Sequence, residues 1–295
     1  MDNTKSTRIF PVIILILAVF ILGFSAIFTR LANAPGVVLS FYRMGIAAIL
    51  LTVPFFRKTL TRTERLPRKG IILAVLSGIV FSIDLWLWST GVLISGATNP
   101  TLMANSAPLW VGLGSVLFFG EKRENIFWVG LGLALIGIFL ILGQDSFHPS
   151  GMGLGSLLGF MASFFYGGYF LLAQKGREFL DPRSFFWITV TSATICLLLG
   201  VIISGEPLIG YSKFTYLNFL AIGVIVQVLG WYAINYVQGY LPAAIVSPTL
   251  LGQPIITAVI AHFFLEERLS VFQIISGIIA LAGILLVHRS RPQPG

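Results

Sequence analysis

The chain has 295 residues, of which 56% are hydrophobic and 10% charged, and its mean hydropathy of +0.92 is too apolar for a domain folded in water. A formal charge of +8 does not point to nucleic acid, because the basic residues lie between apolar runs and form no stripe interleaved with aromatics. One cysteine, Cys196, inside an apolar run, excludes an intramolecular disulfide and a multi-cysteine metal site and reads as a packing residue.

Crossing a hydrocarbon core takes about 20 apolar residues at 1.5 Å each. The first such run covers residues 9–29, after Lys5 and Arg8. Ala32-Asn33-Ala34 has the shape of a signal-cleavage site, but the run exceeds the 7 to 15 residues of a typical signal core and Arg30 intervenes, so a retained helix is expected. The second span, 36–56, carries Arg43, and the third, 71–94, carries Asp84. These are the two residues ionised at neutral pH deep in the membrane, and each costs ~2.5 to 3.5 kcal/mol at a helix centre on insertion scales. Their depths allow them to meet, either as a buried ion pair or as a site for a zwitterion, with Asp84 also able to carry a proton. Trp88 and Gly91 share the Asp84 face at i+4 and i+7, while Trp86 points elsewhere.

The fourth span, 98–119, places Thr101, Asn105 and Pro108 on one face, and the fifth covers 126–142. After a polar connection at 144–150, the sixth span, 151–173, contains Tyr166, Tyr169 and the small-residue series Gly151, Gly155 and Gly159, which suits close helix packing. The seventh is 185–203. The eighth, 214–237, bears Gln227, Trp231 and Asn235, with Gln238 next, at helical spacings of 4, 4 and 3; these amides need partners away from lipid. The ninth, 243–264, holds Pro248 and Pro254, and the tenth is 271–287. Pro108 and Pro254 each remove a backbone donor near mid-bilayer and free the carbonyls of Ala104 and Leu250, so either proline serves as a packing kink or as a hinge lining a site.

With the N-terminus in the cytoplasm, ten spans place fifteen Lys and Arg residues on the cytoplasmic side and three, Arg30, Lys213 and Arg268, on the other, with Arg43 inside a helix. The expectation is a multi-pass protein of the plasma or inner membrane with both termini cytoplasmic. His262 and Glu266 at i and i+4 are too few for a metal site, with His148 and His288 distant, and no metal or cofactor is expected. A phosphate-binding G-x-x-x-x-G-K-[ST] loop is absent, so ATP is not hydrolysed on this chain.

A shift of 146 residues superimposes the segment beginning at Ala104 on that beginning at Leu250, matching Pro108 to Pro254, Glu121 to Glu267 and Gly137 to Gly283. With five spans per half the second copy enters the membrane inverted. The fold expected is therefore all-α and integral to the membrane, ten transmembrane helices in two inverted five-helix repeats at 1–143 and 151–290 joined by 144–150.

On these segments, with Phe41-Tyr42-Arg43, the chain resembles the drug/metabolite transporter superfamily, in its EamA branch of ten-helix transporters. The resemblance implies a secondary transporter exporting small metabolites such as amino acids. It departs from the related four-helix multidrug exporters, which use an acidic residue in the first helix; neither the first nor the sixth span here has an Asp or Glu. The expected substrate-binding set is Arg43, Asp84, Trp88, Asn105, Tyr166, Tyr169, Gln227, Trp231 and Asn235, with Pro108 and Pro254 as kinks. The expected partners are a small-molecule substrate and membrane lipid; a homodimer is compatible, but one chain suffices. A channel, sensor or scaffold is the alternative. An intramembrane enzyme would need a catalytic constellation that is not visible.

Overall fold

The computed structural model describes residues 3–60, 65–95, 98–143, 153–256, 259, 271–290 and 292–293. Among the described residues, seven helices are long and apolar enough to cross a membrane, and three shorter apolar helices, Asn125–Leu140, Ala243–Ile256 and Ile274–Arg289, fall where the fifth, ninth and tenth spans are expected. A continuous helix closes its backbone hydrogen bonds internally, which the hydrocarbon core demands. Polar side chains within the helices follow the same rule: Thr52, Ser89, Thr194 and Thr249 each donate to the carbonyl four residues back.

The first span is α1 (Asn3–Gly23) and α2 (Ser25–Ala32), followed by α3 (Gly36–Leu60) and α4 (Arg68–Ser95). On α1, Leu15, Ala18 and Leu22 are buried while Ile9, Ile13, Ile16, Leu17 and Phe20 are exposed. An apolar face left exposed on an apolar helix is a lipid-facing surface.

The expected fourth helix is two: α5 (Thr98–Ala104) and α6 (Ala107–Phe119), separated by a turn at Asn105 and Ser106. Pro108 lies in the first turn of α6, where a missing N–H is harmless, so the chain breaks just before it. Gly120 ends α6 with φ +65°, leading into the two-residue strand β1 (Lys122–Arg123) and α7 (Asn125–Gly143).

The second half begins with α8 (Leu154–Gly176) and α9 (Pro182–Ser204). Asp181 caps α9 by accepting from the N–H groups of Arg183 and Ser184 at 3.1 and 3.3 Å. The eighth span is α10 (Lys213–Ala221), a π-helix (Ile222–Trp231) and α11 (Tyr232–Val237). The plain α spacing expected for Gln227 and Trp231 is thus replaced by π winding, which puts more residues in each turn, although both side chains remain buried. Next come α12 (Ala243–Thr249) and a 3-10 turn (Leu250–Gly252). The carbonyl of Leu250, expected to be left free by Pro254, instead accepts from the N–H of Gln253, because 3-10 winding shortens the bond to three residues. The chain closes with α13 (Val271–Arg289) and β2 (Pro292–Gln293), which pairs antiparallel with β1.

The core centres on α4, packed along α8 and α9, with α3 against α9 and the π-helix. Where helices approach closely the contact residue is glycine, since packing inside lipid relies on backbone proximity. Gly78 faces Thr189 and Ser192, Gly91 faces Gly155 and Pro100, and Gly159 faces Pro100. The helices α7 and α13 cross antiparallel: Gly130 meets Gly283, Leu286 and Val287, and Gly137 meets Ser276 and Ala280.

Gly151, His148, His262, Glu266, Glu267 and Arg268 lie outside the described residues.

Candidate functional site

Arg43 and Asp84 come from adjacent helices, α3 and α4, and only 4% and 5% of their surfaces are exposed. They act on each other electrostatically, but among the described residues they do not close into a salt bridge. Arg43 instead donates from Nε to Oε1 of Gln227 at 2.7 Å, reaching from the second span to the eighth. The guanidinium is thereby hydrogen-bonded to the second half of the chain, while Asp84 acts on it through space.

An aromatic wall stands beside this cluster. Tyr169 stacks on Phe81 with centroids 4.3 Å apart and meets Trp231 edge-on at 5.5 Å; Tyr166 meets Trp231 edge-on at 5.8 Å and lies within electrostatic reach of Asp84 and Arg43. These rings come from α4, α8 and the π-helix, so the wall exists only once three distant segments pack.

Among the described residues, Gln227 Nε2 and Trp231 Nε1 are buried at this wall without a hydrogen-bond partner, while the Tyr169 hydroxyl and the Asn235 side chain, also buried, interact with each other; Asn105 Nδ2 is buried and unpaired at the turn between α5 and α6. Leaving a buried polar group unpaired costs ~1 to 3 kcal/mol, so these atoms have hydrogen-bonding capacity to spare. Tyr169, Gln227, Trp231 and Asn235, four of the nine sequence-derived binding residues, bring their buried polar groups to this wall. Asn105 owes its place to the break between α5 and α6, and the 3-10 turn at Leu250–Gly252 falls at the corresponding point of the ninth span.

Trp88 departs from the expected stripe. Its Nε1 donates to Thr101 Oγ1 at 3.1 Å, fastening α4 to α5, so its indole nitrogen is used in packing. The expected Gly91 face is likewise filled, by Gly155 and Pro100.

At the end of the bundle that carries most of the basic residues, a hydrogen-bonded bridge joins segments far apart in sequence. Gln174, in the last turn of α8, donates to Glu121 at 3.0 Å and accepts from the N–H of Ala243 at 2.6 Å. Glu121 also pairs with Arg123, whose guanidinium lies over Phe127 at 5.3 Å. Arg177 donates to the carbonyls of Asn235 and Leu180, and Gln238 donates to that of Phe170 at 3.1 Å. Burial pushes the Arg177 guanidinium below its usual range, and the nearby Asp181 pulls the other way. Sequence reasoning missed Gln174 and Arg177 as contributors; a polar residue in the last turn of an apolar helix, with Glu121 recurring as Glu267, was the available signal. His288 meets Thr249 at 2.8 Å, and among the described residues no His, Cys, Asp and Glu cluster could hold a metal.

Comparison with known proteins agrees with this architecture. The EamA-like transporter family matches residues 9–143 and again 153–289. The chain is similar to an uncharacterized transporter of Haemophilus influenzae, 24% identical over 309 residues with 99% of each chain covered. It is also similar to one of Archaeoglobus fulgidus, 24% identical over 276 residues and covering 93% of this chain and 95% of that one. The uncharacterized transporter YdfC of Bacillus subtilis is 23% identical over 189 residues, and there the match spans only 61% of the relative. A solved crystal structure 15% identical in sequence superimposes with a TM-score of 0.80 over 95% of this chain and 97% of the other, a likeness of fold alone. Two matched copies covering nearly the whole chain, on a bundle of membrane-spanning helices, make this a multi-pass membrane transporter and not an enzyme: the chain belongs to the EamA-like transporter family.

Proposed function

We propose that the chain is a secondary transporter that exports a small zwitterionic or amphipathic metabolite of the amino-acid type across the cell membrane. The observation that carries this reading is the central cluster: a buried basic and a buried acidic side chain, Arg43 and Asp84, beside the unpaired Gln227 Nε2 and Trp231 Nε1 and the buried polar groups of Tyr169 and Asn235. A zwitterion offers a carboxylate to Arg43 and an ammonium to Asp84, and its side chain fits against the Tyr166, Tyr169 and Trp231 rings.

Alternating access comes from two five-helix halves, 1–143 and 151–290, inverted with respect to each other. The α7 and α13 crossing supports this. Under the 146-residue shift Gly130, Ala134 and Gly137 correspond to Ser276, Ala280 and Gly283, and the contacts exchange accordingly: Gly137 meets Ser276 while Gly130 meets Gly283. Equivalent helices that exchange equivalent contacts are related by a two-fold axis. Because they run antiparallel, that axis lies across the helices, in the membrane plane, as inverted repeats require. The shorter helices in the fifth, ninth and tenth positions complete ten spans, with both termini and the basic end cytoplasmic. The Glu121, Gln174 and Ala243 bridge then closes the cytoplasmic mouth.

The test is counterflow in proteoliposomes loaded with single amino acids or related amines and acids. Uptake of a labelled zwitterion against its gradient, lost in Arg43→Gln, is the expected result; uptake unaffected by Arg43→Gln, or no counterflow across the panel, overturns the reading.

A further inference from the structure

Away from the central cluster, a recess of about 500 Å³ opens between α3, the first turn of α9 and the outer side of the π-helix. Arg57 and Arg183 stand at one end, and Leu51, Val53, Val228 and Leu229 form an apolar wall. Val53 and Leu229 are more than half exposed, at 56% and 53%, so the recess opens to the lipid-facing surface and not to the interior.

Its depth is fixed by what surrounds it. Trp187 stacks on Phe55 with centroids 3.9 Å apart and donates from its indole nitrogen to Thr52 at 3.0 Å. A tryptophan with an apolar ring face and a hydrogen-bonded tip belongs at the boundary between acyl chains and headgroups. Arg57 and Arg183 lie at that level, both exposed, and Leu51 lies six residues further into the helix, about 9 Å deeper. Two guanidiniums at headgroup depth above an apolar slot match a phosphodiester joined to an acyl chain.

We propose that this recess binds one anionic phospholipid, its phosphodiester between Arg57 and Arg183 and an acyl chain along Leu51, Val53, Val228 and Leu229. Val228 and Leu229 belong to the same π-helix as Gln227, which holds Arg43. Lipid packed on the outside therefore bears on the segment that presents Gln227 inward, and occupancy stabilises the winding on which the central cluster depends. The proposal rests on the reading that the basic end faces the cytoplasmic leaflet, but not on transport.

The experiment is thermal unfolding of the full chain in detergent, titrated with phosphatidylglycerol, phosphatidylcholine, or inorganic phosphate. Phosphatidylglycerol is expected to raise the melting temperature, and the other two to leave it unchanged. Arg183→Gln and Arg57→Gln should each weaken the phosphatidylglycerol titration about fivefold, the equivalent of ~1 kcal/mol per basic residue at a membrane surface. Arg68→Gln, an exposed arginine of the same end outside the recess, should leave it unchanged. Val53→Phe keeps every charge and should also weaken the titration by narrowing the slot, which decides the matter if Arg57→Gln does not fold. Stabilisation by inorganic phosphate to the same extent, or equal weakening in Arg68→Gln, overturns the lipid site. Counterflow that persists in phosphatidylcholine liposomes alongside a failed titration leaves the transport reading standing.

Discussion

Arg43 is buried at 4% exposure with one nitrogen donating to Gln227, so its charge is stabilised by a neutral acceptor on another helix and by Asp84 through space. Gln227→Leu removes that acceptor and should lower stability by ~1 to 2 kcal/mol, at the upper end of hydrogen bonds measured in membrane proteins; Gln227→Glu restores an acceptor and should recover most of it. Melting temperatures in detergent read both, and equal loss in the two variants would mean the site needs the amide shape and not the acceptor. Asp84→Asn separates two roles. If Asp84 carries a proton, the variant loses the dependence of uptake on a pH gradient; if it binds a substrate amine, affinity falls and the pH dependence stays. Unchanged flux and affinity would reject both.

Within elements, position on the helix decides more than residue type. On α7, Gly137 lies against Ser276 and Ala280, whereas Gly132 has open space where a side chain would go. Gly137→Leu should therefore separate α7 from α13 and abolish the folded protein, while Gly132→Leu should fold with a melting temperature close to the parent. Size-exclusion profiles in detergent distinguish them, and similar profiles for the two would argue against the antiparallel crossing. Gly120 sets a different constraint: φ of +65° ends α6 and turns Glu121 toward Gln174. Gly120→Ala should cost ~1 kcal/mol in a left-handed backbone position.

The whole molecule joins its two halves through the central cluster and the bridge at the basic end. Gln174→Ala breaks the bridge on both sides, to Glu121 and to Ala243, and should open that mouth. With Cys196→Ala to remove the native thiol and Ser247→Cys placed in buried α12, modification by a membrane-impermeant maleimide from the N-terminal side should accelerate several-fold in Gln174→Ala. An unchanged rate would mean the bridge is not a gate.

Hydropathy and loop charge determined by themselves that this chain lives in a membrane and roughly where its helices run, because burying an unpaired backbone or charge in lipid is so unfavourable that composition alone enforces it. The same logic exposed Arg43 and Asp84, and the 146-residue repeat exposed the match of Gly137 with Gly283. Helical spacing failed where winding changed: nothing in the pattern around Gln227 distinguishes π from α, since both bury the same apolar face, and the break at Asn105 moved Pro108 from mid-helix to a first turn. Which atoms meet was left entirely to tertiary structure. Arg43 reaches Gln227 across 184 positions, Trp88 is claimed by Thr101, and Gln174 ties Glu121 to Ala243. Such contacts depend on how helices rotate and slide against one another, and apolar side chains that are equally content facing lipid on any side do not encode that in their order.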